Sequence, residues 1–259
     1  MKTNTRSEIV AFVRSAGGLR PIELAGKLGI TPQALHRHLK ALVASGDLEA
    51  CGRGPKTRYV IAGEPALEAP RRWHAARGAP AESPASFVCE TRDVFSARLG
   101  RLASLSKEGL GGAELSLLIS AVGEIGNNCF DHNLGHWRNI PGCWFEAQST
   151  GKRLWVLVAD RGQGVFQSLS RALPEIPDER AALLTAFEKR VSGRAPENRG
   201  NGLKFVRKIV EGSPARGLAC RSGAGLVDYG ALGPDCRGHL TDFSSKASGT
   251  VTLLAWRLS

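Results

Sequence analysis

The stretch AELSLLISAVGEIGNNCFDHN, residues 113–133, constrains the fold more than any other segment. Leu115, Leu118, Val122, Ile125 and Cys129 recur at intervals of three and four, the period of a helix with one buried face. At about 100° per residue, Glu124, Asn127, Asn128, Asp131 and His132 centre roughly 130° from that stripe and look away from the core. A solvated face is ordinarily built from Lys, Glu, Gln and Ala, whereas adjacent asparagines cost helical propensity. That cost points to a task. Glu124 and Asn128 lie one turn apart, about 6 Å along the axis, so a carboxylate and an amide oxygen can meet one small ligand. An amide oxygen is a hard ligand suited to Mg²⁺, and a neighbouring carboxylate can hold or orient a water.

Two further segments carry the same kind of signal. RLWVLVADRGQGV reads as a near-continuous apolar strand, 154–159, ending at Asp160 and followed by Gly162 and Gly164, where a ligand could approach the backbone. ENRGNGLKFVRKIV sets Gly200 and Gly202 directly before an amphipathic helix with Leu203, Val206, Ile209 and Val210. A glycine-rich turn into a helix N-terminus suits phosphate, because free N–H groups and the helix dipole both favour anions. Each element alone marks a tight turn more often than a ligand.

Taken in this order, E-x-x-x-N on a helix, D-x-G-x-G after a strand and G-x-G-L before a helix resemble the GHKL ATPase superfamily. The likeness runs from about residue 90 to the end of the sequence. Glu124, Asn128 and His132 are similar to the E-x-x-x-N-A-x-x-H helix of the anti-sigma-factor serine kinases, with Cys129 in place of alanine. The resemblance implies the Bergerat α/β sandwich, with helices on one face of a mixed sheet, and it implies ATP with Mg²⁺ as ligand. Glu124 then resembles the carboxylate that activates an attacking hydroxyl or water, and Asn128 the Mg²⁺ ligand. Asp160 would accept the adenine amino group, with Gly162 and Gly164 lining the base pocket and Thr250 sharing a water with that aspartate. Gly200, Gly202 and Leu203 would bring backbone amides to the triphosphate, and His132 would touch phosphate. Asn127 and Asp131 have no family role. Residues 165–199 are long for a plain connection and are expected to form the ATP lid, with a helix in PDERAALLTAFEKRV, a hinge in SGRAPENRG, and Lys189, Arg190, Arg194 and Arg199 within reach of phosphate.

The N-terminal quarter differs in character. Residues 1–63 hold ten Lys or Arg against four Asp or Glu, the densest positive charge in a chain of net charge +11, which suggests a polyanionic partner. SEIVAFVRSAGG and PIELAGKLGI read as helices. TPQALHRHLKALVASGDL is a third, with Thr31 as cap, Pro32 at the first position and Ala34, Leu35, Leu39, Leu42 and Val43 as the buried stripe. DLEACGRGPKTRYVIAG reads as two strands around a turn. Three helices and a basic hairpin resemble the winged-helix DNA-binding domains of bacterial transcription regulators. That resemblance implies that Gln33, His36 and Arg37 face the major groove of double-stranded DNA and that Arg53, Lys56 and Arg58 reach its phosphates.

The expected organisation is a winged helix-turn-helix domain over 1–63, a Pro/Ala-rich linker over 64–88 and an ATP-binding domain over 89–259. Six scattered cysteines without a C-x-x-C pair are expected to be free thiols. No apolar run approaches the ~20 residues of a membrane span, and MKTNTRSEIV lacks the apolar core of a signal peptide, so a cytoplasmic chain is expected. The segment before the ATPase-like motifs contains no phospho-accepting histidine in the usual kinase context, which argues against a sensor histidine kinase. Two classes remain: a DNA-binding regulator controlled by ATP, with lid closure and homodimerisation as its means, and a serine/threonine kinase that uses the winged helix to dock a protein partner or phosphorylation target.

Overall fold

The structure, a computed structural model, describes residues 5–52, 54–80, 86–189 and 201–258. The chain divides into two compact units, residues 1–69 with 148–155, and residues 70–147 with 156–259.

In the first unit, α1 (Thr5–Ala16), α2 (Pro21–Leu28) and α3 (Pro32–Ala44) precede a hairpin of β1 (Leu48–Cys51) and β2 (Arg58–Ile61). The α3 start follows from its sequence: Pro32 supplies the fixed φ, and Thr31 accepts the Ala34 N–H at 3.3 Å. Ile9, Val13, Leu24, Leu35, Leu39, Leu42 and Leu48 form one core. Val43, expected in the buried stripe, is 41% exposed, because Leu39 and Leu42 already complete that face. β1 and β2 pair antiparallel, and Leu19 exchanges both backbone hydrogen bonds with Tyr59. This is a winged helix-turn-helix. Gln148–Trp155 belongs to the same unit: the Gln148 amide bonds the Ala66 N–H and C=O, and Glu49 accepts the Gly151 N–H.

The second unit is built on the sheet β3 (Val88–Cys89), β4 (Cys143–Thr150, in this unit up to Ala147), β5 (Arg153–Asp160, in this unit from Val156), β8 (Thr250–Arg257), β6 (Arg216–Ser222) and β7 (Gly225–Tyr229), in that spatial order. The β3–β4, β6–β7 and β6–β8 pairs are antiparallel. Its helices are α4 (Glu68–Ala75, which begins in the first unit), α5 (Arg92–Gly100), α6 (Gly112–Asp131), α7 (Gly164–Leu169), α8 (Glu179–Glu188), α9 (Gly202–Glu211) and α10 (Gly233–Leu240).

Strand alternation sorts these helices. On β4, Cys143 meets Cys129 of α6, while the next residue, Trp144, packs on Trp73 of α4 with ring centroids 5.8 Å apart. On β6, Cys220 meets Thr252 on the side of α6, and Arg221 donates to the Leu240 carbonyl of α10 at 2.9 Å. Helices therefore cover both faces, α6 on one and α4 and α10 on the other, where the family likeness implied one. All five α6 positions of the expected apolar stripe are buried. The N-terminal end of α6 is fastened by Glu114, which takes two hydrogen bonds from Arg216 at 2.5 and 2.9 Å and one from the Trp256 indole at 3.0 Å. Arg216 beside it holds the Glu114 carboxyl below its usual range.

One expected segment takes a different form. Residues 64–88, expected as a linker, carry α4, with Leu67, Trp73 and His74 buried. The anchor is Arg161, fully buried, whose guanidinium donates to the carbonyls of Trp73, His74, Ala76 and Gly78 and to Asn139 Oδ1. All five N–H donors are used, at the negative end of a helix. A Pro/Ala-rich segment without apolar period thus folds on a cation from elsewhere. Next to it, burial and then the charges of Arg138, Arg161 and Arg221 push His74 down to about 3, so that it is neutral. In 165–199 the helix expected in PDERAALLTAFEKRV is α8, and the described part packs into the fold: Leu169, Ile176 and Ala182 form a small core, and the Phe187 ring lies tilted against Tyr229 of β7 at 5.0 Å. Arg190, Arg194, Arg199 and SGRAPENRG lie outside the described residues.

Lysine has three donors where arginine has a rigid fork of five. Arg161→Lys should therefore leave carbonyls at the α4 end unpaired and lower the unfolding free energy by roughly 3 kcal/mol, read by urea denaturation with tryptophan fluorescence. Arg153→Lys is the control that should change it little.

Candidate functional site

Five elements contribute the sequence-predicted residues that line one cavity of about 700 Å³ in the second unit. Helix α6 contributes Glu124, Asn127, Asn128, Cys129, Asp131 and His132, and the end of β5 contributes Asp160. Gly164 comes from α7, Gly202 and Leu203 from α9, and Thr250 from β8. The sequence-predicted polar face of α6 is thus a cavity wall. Its residues stay polar because the apolar face of the same helix supplies the packing.

Asp160 is the most unusual group. Only 3% of it is exposed, and its Oδ1 accepts the Gly162 N–H at 2.8 Å. Burial raises its carboxyl from the ordinary 3.8 to about 6, against hydrogen bonds from the Gly162 N–H, the Asn133 amide, the Cys129 thiol and the Thr250 N–H. A carboxylate in this setting is ionised at neutral pH and faces the cavity as a hydrogen-bond acceptor. His132 closes α6, its N–H donating to the Asn128 carbonyl at 3.1 Å and its Nδ1 lying 3.2 Å from Ser168 Oγ.

One assignment changes in detail. Gly162 is not on the cavity wall: a Cβ there would overlap the Asn133 amide. A Cβ on Gly202 would overlap the Glu124 carboxylate, so the start of α9 and the middle of α6 approach closely only because that residue is glycine. Among the described residues the first turn of α9 has no side-chain cap, the arrangement in which helix N–H groups can meet an anion. Gly200 lies outside the described residues.

Sequence reasoning missed Asn133, Thr252 and Cys220 of the cavity wall and, behind it, Ser222. Asn133 directly follows His132 but falls outside the E-x-x-x-N-x-x-x-H spacing. Ser222, whose Oγ accepts the Val165 N–H at 2.9 Å, sits in an ordinary strand. Thr252 and Cys220 line the cavity from neighbouring strands, and only their alternation could have suggested it.

In the first unit, Gln33, His36 and Arg37 are exposed on α3, and Lys40 joins them at the i, i+3, i+4, i+7 period of one helical face. Lys56 is exposed and Arg58 half-buried on the hairpin. Arg53 lies outside the described residues.

Residues 2–46 match the family described as winged helix-turn-helix DNA-binding. The chain therefore carries a domain of that kind over those residues. No curated protein matches the chain. Among the described residues no helix is long and apolar enough to cross a membrane, and all six cysteines are free.

Two outcomes follow. Because the folded carboxyl of Asp160 titrates near 6 and the unfolded one near 3.8, the folded state holds more protons between those values. The wild type thus gains stability from this group as pH falls from 6 to 4 and lacks that gain above 6. Asp160→Asn should remove this pH dependence, so that its stability relative to wild type falls by about 3 kcal/mol between pH 7 and pH 4 in urea melts. On the DNA side, Lys56→Ala should weaken binding to any duplex and reduce the slope of log K against log salt by about one. Arg37→Ala should cost roughly 1–3 kcal/mol on a selected operator and less on random duplex, measured by fluorescence anisotropy.

Proposed function

We propose that the second unit binds ATP with Mg²⁺, that its fold is of the Bergerat type, and that the chain is a transcriptional regulator whose DNA affinity answers to nucleotide. The observation that carries this proposal is the convergence of Glu124, Asn128, Asp160, Gly202 and Thr250 on one cavity.

The donor set fits such a ligand. Asp160 offers a buried acceptor for the amino group of an adenine. The uncapped start of α9, with Gly202 and Leu203, offers N–H donors to phosphate, and Asn128 would give its amide oxygen to Mg²⁺. The volume lies in the ordinary range for small-molecule sites. When bound, Mg²⁺ supplies neutralisation of phosphate charge. The remaining work falls to the chain: Asp160 selects and orients the base, α9 fixes the phosphate end, and His132 closes the wall between α6 and α7.

A second reading rests on Glu124. Its carboxylate borders the cavity at the close approach of α6 and α9, where a base for an incoming hydroxyl is useful. A serine/threonine kinase would employ it so, with a base worth typically 10² to 10⁴ in rate, and the winged helix would dock the protein partner.

Incubation with γ-labelled ATP, with and without cell lysate, separates the two, using wild type and Glu124→Ala and scoring labelled protein and free phosphate apart. The regulator reading expects ATP to be retained with little turnover in either protein, and a DNA affinity that changes at least about five-fold on adding ATP and Mg²⁺, an effect lost in Asn128→Ala. Equal DNA affinity in both conditions would sink the coupling. Label carried to a lysate protein by wild type and not by the variant would establish the kinase instead.

A further inference from the structure

The loop after Asp160 is held from outside by two side chains, and each hold requires a glycine in the loop. Asn133, directly after α6 and 4% exposed, uses its whole amide. Its Nδ2 donates to the Cys129 carbonyl at 3.0 Å and supports the Asp160 carboxylate, and its Oδ1 accepts the Gln163 N–H at 3.1 Å. A Cβ on Gly162 would occupy the space this amide fills. Ser222 does the same two residues on. Its Oγ accepts the Val165 N–H at 2.9 Å and donates to the Gly249 carbonyl at 3.2 Å, and a Cβ on Gly164 would lie 2.9 Å from it. The glycine pair of D-x-G-x-G is matched to these two supports, Gly162 to Asn133 and Gly164 to Ser222.

The supports differ in what they touch. Ser222 ties backbone to backbone, whereas Asn133 joins the end of α6 to the carboxylate itself. An amide donor to a buried carboxylate stabilises its charged form and fixes its direction.

We infer that Asn133 is a positioning residue for the candidate site: it locks the Asp160 loop to α6 and keeps the carboxylate aimed and ionised, ready to accept a hydrogen bond from an amino group on a ligand base. The last clause rests on the nucleotide reading above, while the hold on Asp160 does not.

Few other groups compete for this role. The ionisable side chains facing Asp160 are the thiols of Cys129 on α6 and Cys220 on β6. The Cys143 hydrogen bond pulls Cys129 down, but burial wins and raises it. Burial pushes Cys220 up to about 12. Both are uncharged at neutral pH. From β8 comes only the Thr250 N–H, and His132 borders the same cavity.

The test needs no nucleotide. Carboxyl carbon NMR of the full chain follows the titration of Asp160 in wild type, Asn133→Ala, Asn133→Ser and Ser222→Ala. The wild type is expected to titrate near 6. Asn133→Ala should raise the midpoint by roughly one pH unit, Asn133→Ser, which keeps a donor, by less, and Ser222→Ala should leave it in place. A folded Asn133→Ala with the wild-type midpoint overturns the inference, as does an equal rise in Ser222→Ala, which would mean general loosening of the loop. Should Asn133→Ala fail to fold by circular dichroism, Asn133→Ser decides, and a wild-type midpoint in it overturns the inference. ATP binding against pH is measured on the same proteins. Shifted midpoints together with no ATP binding by wild type would uphold the hold on Asp160 and overturn the nucleotide reading.

Discussion

Two adjacent residues at the end of β5 organise the second unit: Asp160 and Arg161 are both buried, carry opposite charge and serve opposite faces of the sheet. Asp160 meets the cavity under α6, and Arg161 gathers four carbonyls at the end of α4. Neither relies on the other for neutralisation. Asp160 is held by N–H donors, and Arg161 lies over the Trp73 ring at 5.4 Å as well as on its carbonyls. Burial accordingly moves both in the direction of neutrality, Asp160 up to about 6 and Arg161 down to about 10. Because one peptide unit joins them, the position of the cavity carboxylate is set in part by packing on the far side of the sheet. A backbone shift that relaxed either would displace both.

The cost of this arrangement falls where a binding site would be expected to incur it. An aspartate at 3% exposure disfavours the folded state above pH 6, and consecutive asparagines weaken α6. Compensation lies at the two ends of that helix. Glu114, Arg216 and Trp256 tie its first turn to β6 and β8, and Asn133 ties its last to the loop after β5. Between these ties the buried stripe from Leu115 to Cys129 provides the apolar contact, so that on the polar face Glu124, Asn127 and Asn128 can line the cavity while Asp131 pairs with Arg92 of α5.

What could be seen in the sequence was whatever repeats or punctuates locally. The period of α6, the run of β5 into Asp160, the Thr31 cap and the amphipathic α9 all leave marks within a dozen residues, and each took the expected form. The supports were hidden for the opposite reason. Arg161 acts on residues more than 80 positions away, Ser222 on a backbone N–H 57 positions away and Asn133 on one 30 positions away. A single polar residue at such separation has no period to betray it. The Pro/Ala-rich segment misled in the same way, since α4 is specified by carbonyls that a distant arginine needs and not by an apolar stripe of its own. The glycines of D-x-G-x-G were visible, but part of the reason for them was not: the space they leave is taken at Gly162 by Asn133 and at Gly164 by Ser222.

The same geometry changes the meaning of the positive charge. Counted along the sequence, both units are basic. In the second, however, Arg161, Arg216 and Arg221 are all under a tenth exposed, and their donors are directed to backbone carbonyls and to Glu114. Their N–H groups are therefore already engaged and are not offered to a phosphate, although their charge still adds to the field outside. In the first unit Arg37 and Lys40 stand exposed on one face of α3 beside Gln33 and His36, with Lys56 exposed on the hairpin. On the winged helix these exposed cations can meet phosphate directly, whereas Arg161, Arg216 and Arg221 of the larger unit are internal fastenings of its helices.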